Sequence, residues 1–252
     1  MNETSSPTVD LIVPARNEET NIVALMQALP AGCFRHVIVA DNGSTDRTAA
    51  LAKEHGAIVV HEAQPGYGAA CLAGLKWIEA LGKAQPPGYT GVPDMVAFLD
   101  ADLADDPREL PKLFERVLSG QADMVIGTRV NLAEPGALDP HQKFGNWLAC
   151  RLIGLTAGRR YKDLGPMRVV RWDWMQRLAM RDRTWGWTVE MQFKAARLGM
   201  RVMEIDVPYR KRRSGKSKIS GSLIGSARAG TKIIATIFAL WWQERGKRSH
   251  NQ

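Results

Sequence analysis

An apolar run, Met95 to Leu99, stops abruptly on Asp100-Ala101-Asp102-Leu103, and this junction constrains the chain more than any other stretch. Five apolar residues bounded by turn formers predict a buried strand. Side chains alternate along a strand, so Asp100 and Asp102 at its carboxyl end lean the same way. Paired hard oxygen ligands there suit Mg2+ or Mn2+, which keeps waters and shares its coordination with substrate phosphates. In open α/β sheets, ligands gather outside the carboxyl ends of the strands. The plainer alternative is that Asp102 caps the helix opening at Pro107 and Asp100 is a solvated loop acid.

The flanking chain repeats the pattern. Strands are predicted at Val9 to Val13, His36 to Ala40, Ala57 to His61 and Met124 to Gly127, with a late one at Arg201 to Val207. Helical spacing covers Thr20 to Leu29, a segment from Ser44 or Thr45 through His55, one reaching about Leu81, and Pro107 to Leu118. Strand–helix alternation at this spacing predicts βαβ units and a largely parallel sheet. Gly82 to Pro93 reads as a surface connection and Asn131 to Pro140 as a loop. Helices follow at Gln142 to Thr156, Trp172 to Met180 and Trp187 to Arg197. Polar or Gly-rich loops then fall at strand ends: Pro14 to Glu18, Asp41 to Asp46, Gly66 to Gly68, and Asp100 to Asp102. Each feeds a helix N-terminus, where backbone N–H groups favour phosphate, so the four together predict a nucleotide site.

Net charge of +8 favours anionic partners. Cys33, Cys71 and Cys150 have no metal-like spacing and read as reduced thiols of a cytoplasmic protein. Met1 to Thr8 is a polar tail without a signal peptide, and no apolar run reaches the ~20 residues of a membrane span. Tyr209 to Lys218 holds six Lys or Arg in ten residues. With only Tyr209 available for stacking and no recognised motif, nucleic acid is not expected; Gly215, Ser217 and Lys218 suggest a loop closing over phosphates. From Ser222 to Trp242, apolar residues including Ile234, Ile237, Phe238, Trp241 and Trp242 recur at helical spacing with basic flanks. That suits a helix lying at a bilayer interface, or one packed on the protein or on a second copy. Trp147, Leu148, Leu152, Ile153 and Leu155 form another apolar helix face next to the proposed acceptor site, expected to be core rather than a lipid groove.

Val13-Pro-Ala-Arg-Asn-Glu-Glu19, Asp41-Asn-Gly-Ser-Thr-Asp46 and Asp100-Ala-Asp-Leu103 together resemble the donor-site motifs of glycosyltransferase family 2. Asp163-Leu-Gly-Pro-Met-Arg168 and Arg212-Arg-Ser-Gly-Lys-Ser-Lys218 resemble its polyprenyl-phosphate branch, the dolichol-phosphate mannose and glucose synthases. The resemblance implies a single GT-A domain over residues 9–220, followed by an amphipathic helix and basic tail over 221–252. It implies an inverting hexosyltransferase, peripheral at the inner membrane face and able to form a homo-oligomer. The donor would be a nucleotide diphosphate sugar and the acceptor polyprenyl phosphate. Residue by residue, it places Pro14, Arg16 and Glu18 in the nucleoside pocket and Asp41 and Asn42 at the base edge. Gly66 and Gly68 would lie near ribose and pyrophosphate, and Asp100 and Asp102 would hold the metal. Arg212, Ser217 and Lys218 would sit at phosphates, with Arg129 reaching the acceptor phosphate. Asp163 and Glu190 are candidates for a base if the acceptor is a hydroxyl, or for orienting the sugar or the basic loop if it is a phosphate. The other readings are a soluble family member with a hydroxyl acceptor and a sugar-nucleotide-binding protein without turnover. Two departures stand out: many relatives have Asp where this chain has Asn42, and mannose-synthase relatives often have Gln where it has Ala104.

Overall fold

The computed structural model describes residues 7–84, 91–212 and 223–249. Seven strands form one sheet in the order β3-β2-β1-β4-β6-β5-β7. In chain order they are β1 (Val9–Ala15), β2 (His36–Asp41), β3 (Ile58–His61), β4 (Met95–Phe98), β5 (Met124–Thr128), β6 (Arg168–Arg171) and β7 (Val202–Asp206). The helices are α1 (Glu19–Ala28), α2 (Thr48–Glu54), α3 (Tyr67–Ala84), α4 (Leu110–Leu118), α5 (Pro140–Ala157), α6 (Trp172–Leu178), α7 (Trp187–Arg197) and α8 (Leu223–Ser249).

The sheet is largely parallel, as expected, but the pattern missed β6, which runs antiparallel between β4 and β5. Its four residues carry Arg at both ends, so no apolar run marks it. The register pairs Phe98 with Arg168. The start of β6 therefore lies beside the end of β4, and the preceding Asp163–Met167 segment arrives at the same sheet edge as Asp100.

Period-two alternation sorts the strand residues into two cores. Leu11, Val13, Val39, Met95, Ala97, Val125 and Val169 face α1, α2 and α4. Ile12, Ile38, Val96, Phe98, Met124, Ile126 and Val170 face α3, α5, α6, α7 and α8. β4 is buried throughout because helices cover both faces, hence its unbroken apolar sequence. The connections run outward from β1 in one direction and from β4 in the other. Their boundary is the topological switch point, where a doubly wound sheet opens a crevice at its carboxyl edge.

Some helix ends differ from the sequence pattern. α2 starts at Thr48 rather than at Ser44 or Thr45, because those two residues tie the β1–α1 loop. Asn17 N donates to Ser44 Oγ at 3.0 Å and Thr45 N to Asn17 Oδ1 at 2.8 Å. α5 begins at Pro140, where Asp139 and Gln142 form a capping box, and ends at Gly158 with φ +84°. α6 stops before Met180, at Ala179 with φ +44°. α8 runs past Trp242 to Ser249, and its faces divide. Ile237 is fully buried, and Ile233, Leu240 and Trp241 pack on the core, whereas Phe238 and Trp242 are exposed. No helix among the described residues is long and apolar enough to cross a membrane.

Candidate active site

β1 to β4 are mutually parallel, so their four exit loops emerge at one edge. β4 ends one residue before Leu99, and the chain then turns sharply. Leu103 adopts φ +59°, a left-handed conformation that costs a branched residue about 1–2 kcal/mol. The turn is closed by Ala104 N donating to Asp102 Oδ1 at 3.0 Å. Asp102 therefore closes this turn, while Asp106 caps the short helical turn at Pro107–Glu109.

The two carboxylates differ. Asp102 is 5% exposed, and its Oδ2 lies 3.0 Å from Arg212 Nη2. The Tyr67 hydroxyl lies close enough to favour the charged form of Asp100, yet Asp100 Oδ1 is buried with no hydrogen-bond partner among the described residues. Burial first, and then the neighbouring Asp102 charge, push the Asp100 carboxyl up to about 6. A cation beside Asp100 would answer both the orphaned oxygen and the repulsion. Among the described residues no three acidic, His or Cys side chains gather to hold a metal. Asp100 and Asp102 thus fit a divalent ion that completes its shell with water and phosphate oxygens. Ala104, where some relatives have Gln, is 1% exposed and offers no ligand.

The basic segment reaches this turn by running along it. Tyr209 bridges to Asp105, and Arg210 N donates to Ala104 O at 2.8 Å. Arg210 then pairs with Asp106 at 3.0 Å, as Arg212 does with Asp102. Ser217 and Lys218, expected at phosphates, lie outside the described residues.

Arg129, just beyond β5, is clamped by Asp163. Its backbone N and Nε donate to Asp163 Oδ2 at 2.8 Å, and Nη2 donates to Oδ1 at 2.7 Å. Burial would raise the Asp163 carboxyl, but the Arg129 charge and hydrogen bonds hold it below the usual range. Arg129 also stacks 5.1 Å from the Tyr209 ring centroid. Burial drives the Asp105 carboxyl, with neither oxygen partnered among the described residues, well above its ordinary value.

The β1 loop carries Pro14 half-buried in the strand and Arg16 exposed. Glu18 Oε2 accepts from Asn21 Nδ2 at 2.8 Å, and Glu18 N donates to Thr48 Oγ1 at 2.7 Å. Asp41 accepts from Ser44 N and contacts His61 Nδ1 at 3.1 Å. The Asn42 amide donates to Glu62 O at 3.1 Å and Gln64 O at 2.7 Å, while its Oδ1 accepts from Gly66 N at 2.7 Å. All of that side chain's hydrogen bonds go to the β3–α3 loop.

Gly66 and Gly68 approach protein backbone closely. A Cβ on either would lie 2.0 Å from Arg183 O or 2.1 Å from Asp182 O, respectively. The loop they press against is held from beneath by Glu190, whose carboxylate accepts from Arg181 N and Asp182 N (2.7 Å) and pairs with Lys194. Asp182 in turn contacts Lys232 of α8 at 3.4 Å. Glu190 and Asp163 therefore sit in closed networks, with no free carboxylate oxygen aimed at solvent.

Tyr67 and Arg210 join the site without having been named as candidates, and Arg168, the last residue of the Asp163–Arg168 motif, joins it without having been given a role. Arg168 is fully buried among carbonyls, including those of Gly165 and Leu164 (3.3 Å), and burial lowers its affinity for the proton.

Comparison with known proteins identifies the family and the fold. The model of glycosyl transferase family 2 matches residues 10–204. An uncharacterized glycosyltransferase of Mycobacterium tuberculosis is 38% identical over 222 residues, covering 86% of this chain and 92% of its own. An undecaprenyl-phosphate mannosyltransferase of Micrococcus luteus is 30% identical over 237 residues, covering 86% and 89%. Among solved structures, glucosyl-3-phosphoglycerate synthase from Mycobacterium tuberculosis, in complex with Mn2+, UDP and phosphoglyceric acid, superposes with a TM-score of 0.72 at 21% identity. It covers 94% of this chain and 79% of its own, a likeness of fold. The chain is a glycosyltransferase of the GT-A fold and belongs to glycosyl transferase family 2.

Proposed function

We propose that this enzyme transfers a hexose, with inversion, from a nucleotide diphosphate sugar of the UDP-glucose or GDP-mannose type to a polyprenyl phosphate. Asp100 and Asp102 would hold Mg2+ or Mn2+. The observation that carries the reading is the Asp100–Asp102 pair at the switch point, one oxygen buried and unpartnered, with Arg212 and Arg129 at the same edge. A bound divalent ion would offset the charge that builds on the departing nucleoside diphosphate. Arg212, already beside Asp102, would supply positive charge where donor and acceptor phosphates meet, with Lys218 extending that charge and Ser217 offering a hydroxyl donor to a phosphate oxygen. An acceptor phosphate oxygen attacks the anomeric carbon from the face opposite the nucleotide. The new C–O bond forms as the bond to the diphosphate breaks, and the configuration inverts.

A phosphate acceptor is already anionic near neutral pH and needs no strong base. That agrees with Asp163 and Glu190 being committed to Arg129 and to the 181–182 backbone. In this role both are positioning residues: Asp163 aims Arg129, and Glu190 steadies the loop under Gly66 and Gly68. The Micrococcus luteus relative, a mannosyltransferase named for undecaprenyl phosphate, supports this acceptor class. Such an acceptor places the enzyme peripherally at the cytoplasmic membrane face. The test is transfer of labelled hexose from UDP-glucose and GDP-mannose to a short polyprenyl phosphate with Mn2+. Label in the organic phase supports the reading. Label moving only to water-soluble hydroxyl acceptors, with a pH profile lost in Glu190→Gln, would replace it.

A further inference from the structure

The sequence pattern assigns the apolar face of α5 to the core, but the structure splits that face. Ile153 is buried and Leu152 packs on the core, while Phe144 is 61% exposed, Trp147 55% and Leu155 74%. These exposed residues, with Arg151, follow spacings of three, four and four, so they form one stripe along the helix. Such a stripe is unusual on a helix that is otherwise packed.

Its surroundings indicate what covers it. Between Pro140 and Lys162 the chain has no carboxylate, against Lys143, Arg151, Arg159, Arg160 and Lys162. The Arg151 guanidinium lies 5.8 Å from the Trp147 ring centroid, and Phe144 and Trp147 lie 5.9 Å apart. Aromatic residues interleaved with cations and free of acids match the chemistry of a negatively charged lipid headgroup layer. The stripe also adjoins the site. Asn146, between Phe144 and Trp147, donates to Lys162 O at 3.2 Å and accepts from Leu164 N at 2.9 Å, bracketing the Asp163 that clamps Arg129. Exposed Val130 and Leu132 follow Arg129 directly in the chain.

We propose that the Phe144–Trp147–Arg151–Leu155 stripe of α5 is the surface by which this enzyme docks on an anionic bilayer. The inference rests on the lipid-phosphate reading, for which it supplies the docking surface. Docked this way, the helix that buttresses the Asp163–Arg129 pair lies against the layer from which a polyprenyl phosphate would rise.

The experiment is co-sedimentation of the full chain with phosphatidylcholine vesicles, with and without phosphatidylglycerol. It compares wild type with Phe144→Ser/Trp147→Ser and with Arg151→Ala. Both aromatic positions are exposed, so the double variant should fold and bind donor as wild type does. The expected result is salt-sensitive binding to the anionic vesicles only, weakened ~10-fold or more in the double variant and less in Arg151→Ala. Unchanged partitioning of the double variant would overturn the inference. So would a wild-type dimer that the double substitution converts to monomer without altering vesicle binding, since the stripe would then cover a second copy. A wild type that glycosylates soluble short-chain polyprenyl phosphate yet ignores anionic vesicles would overturn the docking surface alone. Vesicle binding without any lipid glycosylation would instead count against the function it rests on.

Discussion

Replacing Asn42 by aspartate exchanges an amide for a carboxylate of nearly the same shape, and the structure dictates what that exchange should do. The amide nitrogen lies 2.7 Å from Gln64 O and 3.1 Å from Glu62 O. In the variant an oxygen would face both carbonyls, so two donated hydrogen bonds become two oxygen–oxygen repulsions. The bond from Gly66 N survives. Asn42 is 8% exposed, so water compensates little. Two lost bonds at about 1 kcal/mol each, plus repulsion and desolvation of the new charge, predict about 3 kcal/mol of destabilisation at neutral pH. The sign with pH follows. The new carboxyl's pKa is raised in the folded state, so the penalty is full above that value and shrinks as acidification restores a proton that can donate to Gln64 O. Urea unfolding of both proteins at neutral pH and near pH 5 measures this. A variant within about 0.5 kcal/mol of wild type at neutral pH, or a deficit that grows on acidification, would refute the reasoning. So would a fully stable variant that merely switches its preferred nucleotide base, because Asn42 would then be a base reader and not the tie of the β3–α3 loop.

Gly68→Ala should be worse than its size suggests, because the added methyl would lie 2.1 Å from Asp182 O. The Glu190-held loop must shift, so donor affinity measured by calorimetry should fall at least ~10-fold with a stability loss of about 2 kcal/mol. Asp163→Asn leaves a buried guanidinium without its counter-charge, and about 3 kcal/mol of stability should be lost at neutral pH. The lowered Asp163 carboxyl stabilises the fold above its unfolded value and loses that contribution as pH falls through the folded one, so the deficit should narrow in acid unfolding curves. With Asp100 near 6, Mn2+ must displace a proton from it in weakly acidic solution. Its affinity should drop up to ~10-fold per pH unit below that value, and a flat titration would contradict the assignment.

How far the sequence went is clearest at the central strand. Burial on both faces left Met95 to Leu99 unbroken, and an abrupt run of acids marked its end as the candidate site. The four loops at one edge followed from strand–helix alternation alone. β6 was invisible because Arg168 and Arg171 bracket only two apolar residues, and the sheet's antiparallel insertion went with it. The α5 face was misassigned because periodicity locates an apolar stripe without saying how wide the buried sector is; Ile153 and Leu155 are two residues apart but lie on different sides. The Asn42, Gly66 and Gly68 geometry was equally illegible. Asn42 turns on carbonyls of the β3–α3 loop, and the glycines on the backbone of residues 182–184, more than a hundred positions away, which no local pattern brings near.

The most direct test is calorimetric titration of UDP- and GDP-sugars, with and without Mn2+, into wild type and Asp102→Asn, a variant able to keep the turn through its amide oxygen. One donor binding only with Mn2+, and losing that dependence in the variant while the unfolding curve stays cooperative, is the expected result. Metal-independent binding of equal strength in both proteins would show that Asp100 and Asp102 do not hold the catalytic ion.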